Sequence, residues 1–444
     1  MTNFDPYVVI SGNLATVNLL GGGTTTFKQN GGVYQTLGPA KFAYQFVKSS
    51  SNYRFLHIAD GLIYDFDSNG RLIKFEDRNG NALTVTQGPV GPTQVSDGLG
   101  RTLTFTYTGS GVNAVLTKVT DQTGRSVSFT QDNNGNVTSF TDANGNKTSY
   151  SYNGVLLAKT TRPRGNAPYT QTFDPAFGSA TAQTDSFGNT TKFSFVSGGT
   201  PGKTVVTDPL GRATTFNYAD LVNISSATDA AGQLSSVAYD VLKRPLSFTD
   251  RLGNKTSVTY DPASGFVSSR TDPQGNTTTF TYQAQTQGDF TFYNLSKVTF
   301  ADGTSETYAY DASGNVVKAT DRAGKTTTYT YNSRGQALTI TNASAGVTTY
   351  TYNSDATIAT VKIPSGDVTT LNYDNLKRVS KLLYADNTSR SVTRDALNQV
   401  LSITDERGKV TRFSYDANNN RQSVTDALNQ TSKLINRIVR RNLL

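Results

Sequence analysis

The sequence predicts an all-β protein built as an array of short antiparallel hairpins. Turn residues recur about every ten positions, and the segments between them alternate β-branched or aromatic residues with Thr and Ser. The same unit then repeats along most of the chain. Residues 308–331, YAYDASGNVVKATDRAGKTTTYTY, contain two such turns and their strands. Because successive side chains of a strand point to opposite faces, Tyr329 and Tyr331 are expected on one face and the threonines between them on the other.

An Asp followed by Gly three positions later predicts each turn, since this is the signature of a type I turn. The Asp carboxylate can accept the amide hydrogen two residues on, and Gly tolerates the closing conformation. Successive turn aspartates are often 21 residues apart, and turns of the Tyr-Asp or Tyr-Asn type fill the half-steps. The structural repeat residues selected from this register are Asp121, Gly124, Asp142, Gly145, Asp208, Gly211, Asp250, Gly253, Asp272, Gly275, Tyr310, Asp311, Gly314, Asp321, Gly324, Tyr331, Tyr352, Tyr373, Asp405, Gly408 and Tyr415.

The spacing divides the chain into three regions. Residues 1–60 are expected to form an N-terminal β lead-in that caps the first edge of the array. Residues 61–430 carry the ten-residue spacing, which implies about 35 strands. Within them, the segment from Gln283 to Phe300 exceeds the period and is expected to be a loop insertion. Residues 431–444 form a basic tail that is compatible with a helix or with a truncated end.

The strands are expected to place Tyr and Phe at equivalent positions, where same-face aromatic rings on neighbouring strands would stack. Apolar residues make up 35% of the 444 positions, and Tyr and Phe supply much of that share. A compact α/β enzyme of this length would be richer in Leu, Ala and Ile.

The composition excludes several kinds of site. The sequence has no Cys, so disulfides and thiolate metal sites are excluded. The net charge of +8 comes from scattered Lys and Arg, many directly after a turn Gly, so no basic patch predicts nucleic-acid binding. No apolar run approaches transmembrane length, and the first 20 residues lack the pattern of a Sec signal peptide.

The residues that could carry chemistry predict no catalytic, cofactor or metal site. His57 is the single histidine, and its strand-like neighbourhood suggests a structural role without a Ser or Asp partner. Asp65, Asp67, Asn69 and Glu76 match a calcium-loop pattern. The flanking segments are strands rather than helices, so the interpretation as an ordinary repeat turn is favoured.

The pair Tyr310-Asp311-Ala-Ser-Gly314-Asn315 and Thr320-Asp321-Arg-Ala-Gly324-Lys325 resembles the YD repeat of the Rhs family. That family includes bacterial Rhs polymorphic toxins, the C components of insecticidal toxin complexes, and teneurins. The resemblance covers about residues 61–430. It implies a long spiralling β-sheet that forms a hollow shell, and in the toxins this shell encloses a C-terminal effector.

The toxins' motif R-Y-Y-D-P-x-x-G-R-F is missing from this sequence, so the resemblance transfers no catalytic residue. We therefore expect a non-enzymatic, partial shell that encloses or presents a toxin effector, with other chains or the effector as partners. The localisation implied is extracellular or at the bacterial cell surface. The alternative is a wall-associated adhesin that binds carbohydrate.

Overall fold

A computed structural model of the chain describes residues 6–19, 23–37, 42–196, 202–220 and 222–434. Strands make up 58% of the protein and helix 1%. The described helix is a short 3-10 turn at Gly111–Asn113. The all-β prediction is therefore confirmed. Among the described residues, no helix has both the length and the apolar character needed to cross a membrane.

A first sheet of four antiparallel strands precedes the main array. Its strands, in order, are β1 (Tyr7–Ser11), β2 (Leu14–Asn18), β3 (Thr24–Asn30) and β4 (Val33–Thr36).

All later strands belong to one long antiparallel sheet of 37 strands that does not close into a barrel. Its first strands are β5 (Tyr44–Ser49), β6 (Asn52–His57), β7 (Leu62–Phe66), β8 (Leu72–Glu76), β9 (Ala82–Gln87), β10 (Pro92–Ser96), β11 (Thr102–Thr108), β12 (Val115–Asp121), β13 (Ser126–Gln131), β14 (Val137–Thr141), β15 (Lys147–Asn153), β16 (Leu156–Thr161), β17 (Tyr169–Phe173), β18 (Ala180–Asp185) and β19 (Thr190–Val196). The middle strands are β20 (Lys203–Thr207), β21 (Ala213–Tyr218), β22 (Ile224–Thr228), β23 (Leu234–Tyr239), β24 (Pro245–Thr249), β25 (Lys255–Tyr260), β26 (Val267–Thr271), β27 (Thr277–Gln287), β28 (Phe290–Thr299), β29 (Ser305–Tyr310), β30 (Val316–Thr320), β31 (Thr326–Tyr331) and β32 (Ala337–Thr341). The last strands are β33 (Val347–Tyr352), β34 (Ile358–Lys362), β35 (Val368–Tyr373), β36 (Val379–Leu383), β37 (Ser389–Arg394), β38 (Val400–Thr404), β39 (Val410–Tyr415), β40 (Arg421–Thr425) and β41 (Thr431–Lys433).

The predicted number of strands agrees with the structure. Between residues 61 and 430 the described chain contains 34 strands, β7 to β40, against about 35 expected. The long sheet begins earlier than expected, because β5 and β6 lie before residue 60. It also continues past residue 430 through β41. The rest of the predicted basic tail, residues 435–444, lies outside the described residues.

The chain divides into two compact units, which are described separately below. The first contains residues 1–98 and 191–347, and the second contains residues 99–190 and 348–444.

The loop insertion expected from Gln283 to Phe300 is wrong. This segment forms most of the long hairpin β27–β28, whose strands have 11 and 10 residues. Gln287 pairs with Phe290 across a two-residue turn, and Gly288 there has a φ of +57°. Turn markers are missing at the usual interval because the strands are about twice as long as their neighbours. The alternation of side chains continues through the segment, as a strand requires.

In the first unit, strands β5 to β7 are covered on both faces. On one face, the ring of Phe27 from the first sheet lies 5.1 Å from the ring of Phe46. On the other, Leu56 and Ile63 pack against Phe290 and Phe292 of β28. Burial of both faces makes this the main apolar core of the unit. Its buried side chains include Val17, Phe27, Phe46, Phe55, Leu56, Ile63, Phe66, Leu72, Phe290 and Phe292.

Along most other strands, one face is half-buried and the other is exposed. In β31, Tyr329 and Tyr331 are half-buried, whereas Thr328 and Thr330 are exposed. The face assignment made from the alternation is therefore confirmed.

The expected contact between aromatic residues on neighbouring strands occurs at some strand pairs, such as Tyr64 with Phe75 and Phe129 with Phe140, whose ring centres lie 5.8 and 5.6 Å apart. At other strand pairs the aromatic residue lies opposite an aliphatic one, so there the expectation is wrong. Tyr329 lies opposite Ile340, and Tyr350 lies opposite Val361. In the same way, Phe413 lies opposite Val424. These three repeats thus alternate an aromatic strand with an aliphatic strand. The stabilising contact is an aromatic side chain against a branched aliphatic one.

Candidate functional site

The candidate site of this protein is its set of repeat turns, because each turn is held closed by its own hydrogen bonds and presents exposed polar side chains. At Asp321, the backbone N–H donates to the Lys325 carbonyl, and the Gly324 N–H donates to the Asp321 carbonyl, both at 2.9 Å. The carboxylate Oδ1 also accepts the N–H groups of Ala323 and Lys325 at 2.9 Å. Gly324 has a φ of +77°, as expected for a type I turn followed by a bulge in the left-handed region.

The other predicted Asp-Gly pairs form the same turn. Each Asp Oδ1 accepts the backbone N–H groups two and four residues later, and each Gly has a positive φ. These turns are centred on Asp121, Asp142, Asp208, Asp250, Asp272, Asp311 and Asp405.

The residue after the turn Gly is a functional part of the turn that the sequence reasoning missed. Arg125 Nε lies 2.8 Å from Asp121 Oδ2, and Asn254 Nδ2 lies 2.9 Å from Asp250 Oδ2. The side-chain bond from Asn254, followed by backbone amides, holds the pKa of Asp250 below its usual range despite a smaller opposing effect of burial. The signal in the sequence is the recurrence of Arg and Lys after the turn Gly, which by itself indicates only scattered charge.

The tyrosine that precedes the turn Asp ties neighbouring strands together. Tyr331 donates its hydroxyl to the Val316 carbonyl at 2.7 Å, and Tyr310 donates to Leu295 at the same distance. The donor and acceptor are always 15 residues apart in this series. Further members are Tyr152 with Val137, Tyr260 with Pro245, Tyr282 with Val267, Tyr373 with Ile358 and Tyr415 with Val400. At position 394 an arginine replaces the tyrosine, and Arg394 Nη1 reaches the Val379 carbonyl at 2.7 Å.

In the first unit, the turn at residues 77–81 contacts the long hairpin β27–β28. Arg78 Nη1 donates to Asn294 Oδ1, and Arg78 Nη2 donates to Gln285 Oε1, both at 2.7 Å. Arg78 Nε donates to Gln287 Oε1 at 3.2 Å. The guanidinium lies 4.2 Å from the ring centre of Phe292. Burial lowers the pKa of Arg78, although the nearby Asp311 charge raises it. An arginine stays charged in such surroundings.

The same turn contacts two further repeat turns of the first unit. The side-chain amides of Asn79 and Asn315 bond to each other reciprocally, at 2.9 and 3.1 Å. Asn81 Nδ2 donates to the Arg334 carbonyl at 2.9 Å. These pairs are separated by 236 and 253 residues in the sequence.

The second unit contains an equivalent set of contacts between distant turns. Asn144 Nδ2 donates to Asp395 Oδ2 at 2.7 Å, over a separation of 251 residues. Arg164 Nη1 lies 2.8 Å from Asp416 Oδ2, over 252 residues. Asn418 Nδ2 donates to Asn166 Oδ1 at 2.6 Å. In both units, polar residues within a turn therefore connect it to another turn about 250 residues away.

The residues that match a calcium loop have separate structural roles. The carboxylate of Asp65 is ion-paired with Arg54 at 2.9 Å, and the carboxylate of Glu76 is ion-paired with Lys74 at 3.1 Å. Asp67 Oδ1 accepts the N–H of Asn69 at 2.9 Å, as in the other repeat turns. Among the described residues, no group of three or more Asp, Glu or His side chains could hold a metal ion.

His57 does have an acidic neighbour, contrary to the sequence analysis. Its Nδ1 lies 2.7 Å from Asp60 Oδ2, and its ring stacks on Tyr44 with 5.3 Å between the ring centres. The contact arises because the turn after β6 folds Asp60 back over the end of the strand. His57 is therefore held in place by the turn and by an aromatic ring.

These turns, with their self-bonded Asp and their tyrosine links, define the class of YD-repeat β-sheet proteins. A family model for RHS repeats matches residues 132–167 and 394–431, and a model for the teneurin YD-shell matches residues 233–395. Together they cover more than half of the chain. The chain belongs to the Rhs/YD-repeat family, whose characteristic sheet is a structural scaffold.

A comparison with curated proteins finds no match. Among solved structures, the chain is similar to TcdB2-TccC3 without its hypervariable C-terminal region, with 13% identity and a TM-score of 0.49 over 95% of this chain and 25% of that one. It is also similar to a Tc holotoxin pore of Photorhabdus luminescens, with 14% identity and a TM-score of 0.50 over 92% of this chain and 26% of that one. The similarity to the Tc holotoxin pore shows that the two chains share a fold. The chain spans about a quarter of the length of these toxin chains.

Proposed function

We propose that this protein is a non-enzymatic scaffold that forms part of the wall of an Rhs-type shell. The observation that carries the proposal is the contact between turns about 250 residues apart, made within each unit by turn side chains such as Asn79 with Asn315 and Asn144 with Asp395. Such contacts connect one stretch of the array to a later one. A wall needs this cross-connection, because strand pairing alone links each strand to its neighbours.

The turn chemistry supports the absence of catalysis. The repeated carboxylates accept backbone amides through one oxygen, and in many turns an Arg or Asn side chain binds the other, as at Asp121 and Asp250. A general base or a nucleophile needs a free oxygen that faces a substrate. The described carboxylates of the repeat are instead used in holding the turns closed.

The shell encloses or presents a toxin effector, and other chains or that effector complete it. Family membership supports this part of the proposal, and so does the similarity to toxin-complex structures. The protein acts outside the cell or at the cell surface, as is general for its family. No segment of the sequence is proposed to be the effector.

Electron microscopy and sedimentation of the purified full chain test the scaffold. We expect particles with an internal low-density region, self-association at micromolar concentration, and no hydrolase activity. A solid, compact monomer would contradict the scaffold. A glycan array separates the alternative, because strong and selective carbohydrate binding by such a monomer would favour an adhesin.

A further inference from the structure

A cavity of about 250 Å³ lies in the first unit between the first sheet and strands β5 to β7. Residues at the end of β2 contribute apolar side chains to its wall, and Tyr44, Phe55, Tyr64 and Phe66 contribute aromatic rings. His57, the last residue of β6, and Asp60, in the turn that follows, supply an imidazole and a carboxylate. Among the residues that the structure describes, no Lys or Arg lines the cavity.

The aromatic rings in the wall of the cavity pack against one another. The rings of Tyr44 and Phe55 are stacked with 5.2 Å between centres, and those of Phe55 and Tyr64 lie 5.9 Å apart. Phe55 and Phe66 are buried, and the ring of Phe27 packs edge-on against Phe55. A ligand would therefore meet a preformed surface and would order few side chains on binding, which favours affinity.

The negative charge of the cavity comes from Asp60. Its Oδ1 accepts the Leu62 N–H at 3.0 Å, and its Oδ2 bonds to His57. These bonds fix the carboxylate while 41% of the side chain stays accessible. Burial, and secondly the charge of Asp60, raise the pKa of Tyr44 and of Tyr64. Both phenols therefore stay neutral at physiological pH, and both lie within the field of the carboxylate.

We propose that this cavity binds a small organic cation, of the size of a methylated ammonium group. Aromatic faces attract such cations through their quadrupoles, and a nearby carboxylate adds a full opposite charge. A sugar ring would need several free hydrogen-bonding groups. The imidazole of His57 and the carboxylate of Asp60 are instead bonded to each other, which disfavours a sugar.

Calorimetric titration of the full chain with choline, and with its neutral isostere 3,3-dimethylbutan-1-ol, tests the proposal. We expect choline to bind at least about tenfold more tightly than the isostere, because cation–π and charge contributions of about 1–2 kcal/mol are lost without the charge. Equal binding of the two, or no saturable binding of choline at 100-fold excess over the protein and up to about 50 mM, would overturn the proposal.

Two matched variants locate the site. Asp60→Asn keeps an oxygen for the Leu62 N–H and should weaken choline binding by about tenfold. Asp67→Asn changes the carboxylate of the next turn, which does not line the cavity, and should leave choline affinity unchanged. Circular dichroism checks that both variants fold. Unchanged affinity in Asp60→Asn, equal loss in both variants, or tighter binding of a methyl glycoside than of choline would contradict a cation site here.

Discussion

Replacing Arg78 by Ala should loosen the contact between the turn at residues 77–81 and the hairpin β27–β28. The change removes three hydrogen bonds to Asn294, Gln285 and Gln287, together with the contact with the Phe292 ring. Arg78 is half-buried, so water will replace part of what is lost. At about 1 kcal/mol for each bond and about 1 kcal/mol for the ring, the expected loss is about 3–4 kcal/mol.

The matched control is Arg251→Ala, because Arg251 also follows directly after a turn Asp in the first unit. Its side chain is 58% exposed and makes an ion pair with Asp229 at 3.0 Å. An exposed pair of this kind contributes about 0–1 kcal/mol. The comparison therefore separates the docking role of Arg78 from the general effect of removing a turn arginine.

Hydrogen exchange followed by mass spectrometry is the suitable assay, since the stability of a repeat array is local rather than a single value. In Arg78→Ala, protection of residues 277–299 should fall by a factor of about 100 or more, because each 1.36 kcal/mol is tenfold. In Arg251→Ala it should fall by less than about fivefold. Similar protection in the two variants, or a loss spread evenly over the first unit, would refute the docking role assigned to Arg78.

Three other predictions concern the repeat itself. Tyr331→Phe should cost about 0.5–1.5 kcal/mol of unfolding free energy, because it removes the hydroxyl hydrogen bond to the Val316 carbonyl on the neighbouring strand. Tyr329→Phe is the control, since its hydroxyl makes no such bond among the described residues. Denaturant unfolding compares the two variants, and equal costs would be inconsistent with a stabilising bond from Tyr331. Gly324→Ala should cost about 1–2 kcal/mol of unfolding free energy, because Gly324 has a left-handed φ of +77° while no neighbouring atom lies within 4 Å of the added methyl group. Gly324→Asn should cost less, because Asn tolerates this conformation better than Ala. Thermal melts that rank the two variants the other way would argue against backbone strain as the cause. The pKa of Asp272 is lowered, chiefly by the hydrogen bond from the side chain of Asn276. The contribution of this carboxylate to stability should therefore be complete above about pH 4 and be lost as the pH falls through the lowered folded-state pKa. Thermal melts of the wild type and of Asp272→Asn between pH 6 and pH 2 should differ in their acid dependence, and identical curves would contradict this contribution.

The turns could be predicted from the sequence because their determinants are local. Asp321 and Gly324 are three residues apart, and their side-chain and backbone geometry is sufficient to close the loop. The long hairpin could not be predicted in the same way. Its strands lack turn markers at the usual interval, and in this sequence a missing marker predicts a loop, although the alternation of side chains continues through the segment.

Contacts between residues that are distant in the sequence could not be predicted from local patterns. Arg78 and Asn294 are 216 residues apart, and nothing in the local pattern pairs them. The partner of His57 was missed for a different reason, since Asp60 is near in sequence but reaches the ring through the turn after β6. The cavity beside it also depends on how the first sheet packs on β5 to β7.

The claim that distant turns lock together is tested most directly by cross-linking, for which the sequence is suited because it contains no Cys. The double variant Asn79→Cys/Asn315→Cys replaces two side chains that bond reciprocally across 236 residues. The control Asn79→Cys/Asn254→Cys pairs two turns that both follow an even-numbered strand, β8 and β24, and so lie on the same edge of an antiparallel sheet. A short bis-maleimide should join the first pair in the native chain and leave the control pair unlinked. Failure to link the first pair, or equal linking of both, would contradict the account.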